Sequence, residues 1–450
     1  NNMNVLLINV SKKWNGRVYC EYPLGLGMLG TIARNNGYTV KIYDMTVEDD
    51  NIEQIVFNFN PLAIGLSFPS TSAHTAYLLV ERLRKITTAF IFAGGIHPTL
   101  FYKEALNKGI ELVTVGEGEN TILPILEAVQ NSDVKESELK KIHGIAYKNK
   151  AGEIVYNSHK SEVILDNLPF VDRKLFNLNS YSTHSIISSR GCIHNCIFCS
   201  SNGLAGCSPR MSSPEKILSE IEYLVSEFGE INLYWADDMF FYNHKDRITF
   251  CNMLIRKSIP VKYVIQLRAD NINNELVCAL KNSGCVKIAF GAESGSEKIL
   301  KSIKKGITTD TIVEAINCAV KNLLRIKTWW IIGLPGSFDE QLEALKIIEN
   351  TRPNEVAVHT FAPLPGSEIW NEANRYGIHL PSSLEQLEEL SYYCQPESIK
   401  LDYLSLDDLH LLIESYENRL KELGYISTDK GNSNESYIYT TPNQKNTFKV

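Results

Sequence analysis

The stretch Gly191–Ser200, GCIHNCIFCS, decides the reading: Cys192, Cys196 and Cys199 stand in a C-x3-C-x2-C pattern. Three thiolates this close are a metal-binding signature. The other seven cysteines, at 20, 207, 251, 278, 285, 318 and 394, are scattered, mostly within apolar or helical runs, and read as small buried hydrophobes. A structural zinc site closes four ligands, and His194 inside the loop offers a Cys3His set, but no second ligand pair stands at a plausible distance. A fully cysteine-ligated iron–sulfur cluster needs a fourth cysteine at defined spacing, and Cys207, eight residues on and past two glycines, does not match it. Three thiolates on a four-iron cubane leave one iron open to an exogenous chelate.

Working outward, the loop follows HSIISSR (184–190), the first of six apolar runs that continue with INLYWADD (231–238), VKYVIQLR (261–268), VKIAFGAE (286–293), RIKTWWIIG (325–333) and EVAVHTF (355–361). Helical patterns separate them. Six strand–helix units with polar residues and glycines at each strand end predict a partial (β/α)6 TIM-like barrel over 181–363, open on one side, with its site at the carboxyl ends. Those ends carry Asp237 and Asp238, Arg268, Gly291, Glu293 and Ser294 in GAES, and Gly333 and Pro335 in IIGLPG. A helical C-terminal region is expected over 364–426 and a polar, flexible tail over 427–450.

The N-terminal part, 1–140, alternates NVLLINV (4–10), TVKIYD (39–44), LAIGLSF (62–68), AFIFAGG (89–95) and ELVTVG (111–116) with helices at about 24–37, 72–87 and 119–130. This predicts a second α/β domain, a Rossmann-like doubly wound parallel sheet, joined through a connector at 141–180. Its strand ends carry Ser67 and Ser70, then Gly94, Gly95 and His97, then Gly116 and Glu117. GLGMLG (25–30) matches the dinucleotide pattern G-x-G-x-x-G, but thirteen residues separate Val10 from Leu24, so the glycine turn cannot follow the strand directly. Gly25 and Gly27 are predicted inside a helix instead, where they allow close packing against a large flat ligand.

The 450 residues hold 45 Lys and Arg against 52 Asp and Glu, a net charge of −7, which offers no electrostatic footprint for a polyanion. Neither nucleic acid nor an anionic membrane is an expected partner. No apolar run reaches spanning length and no secretory pattern is evident, so a cytoplasmic protein is expected.

The three-cysteine loop, with Phe198 just before its last cysteine and a barrel strand before it, resembles the radical S-adenosylmethionine (SAM) superfamily. YPLGLGMLG, GLSFPST, GGIHPT and VGEGE in a preceding doubly wound domain make the chain resemble, over about 3–361, the cobalamin-binding branch. The resemblance implies a 4Fe–4S cluster on Cys192, Cys196 and Cys199, and SAM on the open iron. Cleavage of SAM gives a 5′-deoxyadenosyl radical that abstracts hydrogen. GAES and Arg268 would meet the ribose, methionyl and carboxylate groups, and the Gly333–Pro335 segment the adenine. Cobalamin would lie on Gly25, Gly27 and the Gly94–His97 loop, with its tail beside Ser67 and Ser70. The methyltransferase motif D-x-H-x-x-G is absent, since Asp408-Leu409-His410 lacks the glycine. The cobalt's lower face should therefore carry no histidine, and His97 is a candidate pocket residue.

The implied activity is transfer of a methyl group from methylcobalamin to an unactivated carbon of a small molecule or peptide, with an external one-electron donor of flavodoxin or ferredoxin type. A cobalamin-binding radical cyclase or oxidoreductase is the alternative. A methylthiotransferase would carry further N-terminal cysteines, and only Cys20 precedes 192. A non-catalytic sensor would need no strand-end set such as GAES and GLPG. The two sets of strand ends are expected to share a cavity, with the substrate near Tyr392 and Tyr393. Replacing Cys192, Cys196 or Cys199 with Ala should abolish the cluster in anaerobically reconstituted protein, whereas Cys207→Ala should retain it, read by iron content and visible absorption. Loss of the cluster in Cys207→Ala would mean a fourth protein ligand.

Overall fold

The computed structural model of the protein describes residues 3–11, 21–130, 134–158, 162–201, 203, 206, 208–390, 396–428 and 437–441. Cys20, Cys207, Tyr392, Tyr393 and Cys394 lie outside them. Two compact units emerge: residues 1–182 with 203–205, and residues 183–202 with 206–450.

The first unit is built on a seven-stranded sheet of β1 (Asn4–Asn9), β2 (Thr39–Asp44), β3 (Ala63–Ser67), β4 (Phe90–Gly94), β5 (Leu112–Thr114), β6 (Ile145–Lys148) and β7 (Ile154–Asn157), in the order 2-1-3-4-5-6-7. β1 to β5 are parallel, as the alternation predicts, and Val5 to Ile8 are fully buried because helices cover both faces. The order reverses between β1 and β3, so the carboxyl ends at Val10 and Ser67 flank the switch-point crevice where such sheets bind ligands.

The expected connector is part of this unit. β6 and β7 add antiparallel strands to the sheet edge. Beyond them the chain folds over the helix Leu24–Asn35: Asp172 pairs with Arg34 at 2.5 Å and its backbone N–H donates to Thr31 at 2.8 Å. The Tyr181 hydroxyl donates to Asp44 at 2.6 Å, and Phe176 stacks on Tyr22. This corrects the reading of Gly27. The glycine is helical as predicted, but a Cβ there would meet Val171 at 2.7 Å and Phe176 at 2.8 Å, so its missing side chain admits the protein's own chain rather than a flat ligand. Gly25, two residues earlier and on the other side of the helix, faces open space.

The second unit is an open eight-stranded sheet. β8 (His184–Ile186), β11 (Ile231–Trp235), β12 (Val261–Gln266), β13 (Cys285–Glu293), β14 (Arg325–Ile332) and β15 (Glu355–Thr360) are parallel neighbours in that order. The short pair β9 (Ser189–Arg190) and β10 (Arg210–Met211) stands apart after β8, and β16 (Ile378–His379) pairs with β17 (Lys400–Leu401) in the C-terminal region. The six predicted strand–helix units are present and the sheet stays open at β8. The crossover helices start on sequence-encoded caps: Ser213 before Pro214, and a Ser337–Glu340 capping box.

The expected flexible tail is corrected in part. β19 (Tyr437–Thr440) extends the sheet antiparallel to β15, β18 (Ile426–Ser427) pairs antiparallel with β19 beyond it, and Tyr439 is buried in the core. The alternation in YIYT supplies the strand pattern that the polar composition around it obscured. On β14 the outward residues Ile326, Thr328, Trp330 and Ile332 are fully buried against helices, whereas Lys327, Trp329 and Ile331 on the inner face are only half-buried.

Candidate active site

The cysteine loop is fastened at its start and in its middle. At its start, Asp237 is wholly buried and accepts from the backbone N–H of Ser188 at 2.5 Å and of Ser189 at 3.2 Å, and from the Ser188 hydroxyl. Burial raises the Asp237 carboxyl well above the ordinary range, with those hydrogen bonds pulling it back. Asp238 accepts from the Gly191 N–H at 2.9 Å, and Tyr242 donates to the Gly191 carbonyl. The two acidic residues of WADD therefore set the entry to the loop. In the middle, Ile197 is 0% exposed; its N–H donates to the Ile303 carbonyl at 3.1 Å and its carbonyl accepts from Ile369 at 2.9 Å. Burying such a side chain contributes roughly 1.5–3 kcal/mol. The cysteines on either side are thereby held on a fixed frame, Cys192 and Cys196 half-buried and Cys199 exposed.

Lys305, which the sequence did not single out, ties the strand-end residues together. Its ammonium lies 2.7 Å from Glu293 and 6.0 Å from the centre of the Phe198 ring, and its backbone carbonyl accepts from Arg268 at 2.8 Å. Arg268 also pairs with Asp270 at 3.2 Å. Lys305 and Glu293 are both nearly buried, so removing either partner would strand a charge at a cost of about 3–5 kcal/mol. Glu293 sits at φ +64 beside a bulge in β13, and its carboxylate folds back over Gly291, where a Cβ would come within 1.9 Å of it. Glycine at 291 is what makes this geometry possible. Burial pushes the Cys192 and Cys196 thiols up, while Lys305 and Arg268 pull Cys196 back down; burial and Arg268 lower His194. Ser294 is buried next to this pair, and Pro335 is half-buried. Gly333 is held by Gln341, which accepts its N–H at 3.2 Å, and by Tyr403, which donates to its carbonyl at 2.9 Å.

In the first unit, Ser67 ends β3 against Gly95, and Ser70 hydrogen-bonds His97 Nδ1 at 3.0 Å. His97 is 1% exposed; Nε2 lies 3.2 Å from both the Tyr77 hydroxyl and Glu104, and the ring packs on Phe68 and Phe101. Both ring nitrogens are engaged inside the fold, so His97 fastens the Ser70 loop to the Gly94–Gly95 loop instead of facing a pocket. The Gly116 N–H donates to Thr99 at 2.9 Å, and Glu117 is half-buried beside it.

A B12 binding domain model matches residues 16–126, and the radical SAM superfamily model matches residues 186–347. PH0819 of Pyrococcus horikoshii, an uncharacterized methyltransferase, is 30% identical over 365 residues, covering 78% of this chain and 78% of its own. The chain belongs to the B12-binding radical SAM family. An anaerobic magnesium-protoporphyrin IX monomethyl ester cyclase of Synechocystis sp. is 29% identical and covers 68% of this chain and 64% of its own. The methyltransferase TsrM of Kitasatospora setae, solved with cobalamin and a [4Fe-4S] cluster, superposes with a TM-score of 0.72 over 98% of this chain and 84% of its own, at 14% identity. The cofactors of this radical SAM enzyme are a 4Fe–4S cluster, SAM and cobalamin.

The second unit's residues fit a cluster. The three thiols carry no disulfide, and among the described residues no set of three or more His, Cys, Asp or Glu side chains converges as a single-ion site would require. Thiols held apart on one loop suit separate irons. The raised thiols of Cys192 and Cys196 mean that metal must displace their protons as it binds. No helix among the described residues is long and apolar enough to cross a membrane. Ile197→Ala should cost about 2–5 kcal/mol in denaturant unfolding and lower the iron retained after anaerobic desalting. Wild-type iron retention in that variant would show that the loop does not depend on its buried anchor.

Proposed function

We propose that this cobalamin-dependent radical SAM methyltransferase replaces a C–H hydrogen of an unactivated carbon with a methyl group on a small-molecule or peptide substrate. The observation that carries the reading is a three-thiol loop at the carboxyl end of an open six-stranded parallel barrel, in a chain that also holds a B12-binding domain. Cys192, Cys196 and Cys199 would hold the cluster, which when bound supplies the electron that cleaves SAM, and cobalamin supplies the methyl group. Glu293, Ser294 and the Gly291 backbone would orient the ribose and methionyl part, Arg268 the carboxylate, and Gly333 and Pro335 the adenine. In the first unit, Gly25, Ser67, Ser70, Gly94, Gly95, Gly116 and Glu117 would cradle cobalamin. Lys305 holds the Glu293 carboxylate in place, and the buried Asp237 carboxyl holds the backbone leading into the loop. A flavodoxin- or ferredoxin-type donor would reduce the cluster.

The similarity to a cyclase supports a second reading, ring closure with loss of hydrogen. Product mass separates the two: methyl transfer adds one methyl group per turnover and yields 5′-deoxyadenosine and S-adenosylhomocysteine in equal amounts. A product lighter by hydrogen, with 5′-deoxyadenosine and no S-adenosylhomocysteine, would establish the cyclase reading instead.

A further inference from the structure

The loop that follows the two acidic residues of WADD is built around one buried cation. The rings of Phe240 and Phe241 are 0% exposed, packed against one another and against Trp235 and Phe250. Burying them carries the backbone of residues 240–242 inward, where its carbonyls need donors that water no longer supplies. Arg247, near the start of the helix His244–Lys257 and 1% exposed, supplies them. Its Nε donates to the Phe240 carbonyl at 3.0 Å and the Phe241 carbonyl at 2.9 Å, and its Nη2 to Phe241 at 2.6 Å and Tyr242 at 3.2 Å. Phe241 sits at φ +37 within this ring of carbonyls, in the left-handed region that a phenylalanine seldom enters.

Two chains of contacts leave this guanidinium. On one side Tyr242, whose carbonyl it holds, donates its hydroxyl to the Gly191 carbonyl, and Asp238 at the start of the same loop accepts the Gly191 N–H at 2.9 Å. Gly191 immediately precedes Cys192. On the other side Arg247 Nη1 donates to Asn271 Oδ1 at 2.6 Å, and the Asn271 amide donates to Asp270 at 3.0 Å. Asp270 in turn accepts from Arg268 Nε at 3.2 Å and from its Nη2 at 3.3 Å. Burial lowers Arg247 to about 10, with Asp270 opposing, so the cation persists at neutral pH. All three of its nitrogens are engaged, and their planar fork fixes the angle between the two chains.

Resting on the placement of Cys192 at the cluster and Arg268 at the SAM carboxylate, we propose that Arg247 is a positioning residue that holds these two groups in one frame. Through Tyr242 it sets the entry to the cysteine loop, and through Asn271 and Asp270 it sets the Arg268 guanidinium. A ligand that must meet both groups at once binds tightly only when their separation is fixed beforehand. Lysine would not do the same, because an ammonium is a point donor that cannot span three carbonyls and Asn271 together.

The two branches are separable in cluster-loaded full-length protein without turnover, so the test is independent of whether methyl transfer or ring closure follows. SAM affinity per cluster is measured by anaerobic equilibrium dialysis, and cluster retention by the rate of iron loss to a chelator. Asn271→Ala should weaken SAM binding about tenfold and keep the wild-type rate of iron loss. Tyr242→Phe should speed iron loss and leave SAM affinity per cluster unchanged. Arg247→Lys should show both defects; should it fail to fold, the other two variants decide. Wild-type SAM affinity in Asn271→Ala, wild-type iron loss in Tyr242→Phe, or both readouts moving together in every variant would overturn the proposal. Arg268→Met separates it from the placement on which it rests. SAM binding weakened in Arg268→Met but not in Asn271→Ala would overturn the link alone, whereas wild-type binding in both would overturn the placement of Arg268 as well.

Discussion

The burial of Ile197 is the constraint on which the catalytic end depends. A loop with three cysteines, two half-buried and one exposed, has little of its own to hold it, yet both backbone groups of Ile197 are bonded to neighbouring segments and its side chain fills the core. The flanking cysteines inherit this order. Asp237 and Asp238 do the same for the residues entering the loop, so the metal-binding segment is fixed from the protein side before metal is considered.

A second layer of organisation is electrostatic. Lys305 sits where three strand-end elements meet: the Phe198 ring of the loop, the Glu293 carboxylate at the end of β13, and Arg268 after β12. Its charge favours the Cys196 thiolate while burial opposes it. Such a site would hold an anionic cluster and a zwitterionic amino acid without large rearrangement, because the opposing charges are already in position.

The architecture was legible because its signals are local: β-type apolar runs alternating with capped helices specify parallel crossovers, and the cysteine spacing marks its own loop. The GAES residues and Arg268 were placed at strand ends for the same reason, and that is where they lie. Lys305 was not, since it follows a helix twelve residues after Glu293 and only the turn of the chain brings them together. Gly27 was placed correctly in a helix but its neighbour was misjudged, because Val171 and Phe176 reach it from more than 140 residues away. His97 likewise needed Tyr77 and Glu104 to reveal a packing role. β19 was hidden by its polar surroundings, which give no sign of its pairing with β15 and β18.

The central claim is that three protein thiolates leave one iron of the cluster for SAM. Mössbauer spectroscopy of protein reconstituted with iron-57, recorded without and with SAM, tests it most directly. One iron subsite should change its isomer shift when SAM is added while the others keep theirs. A spectrum in which every iron has a sulfur environment and none responds to SAM would contradict the account.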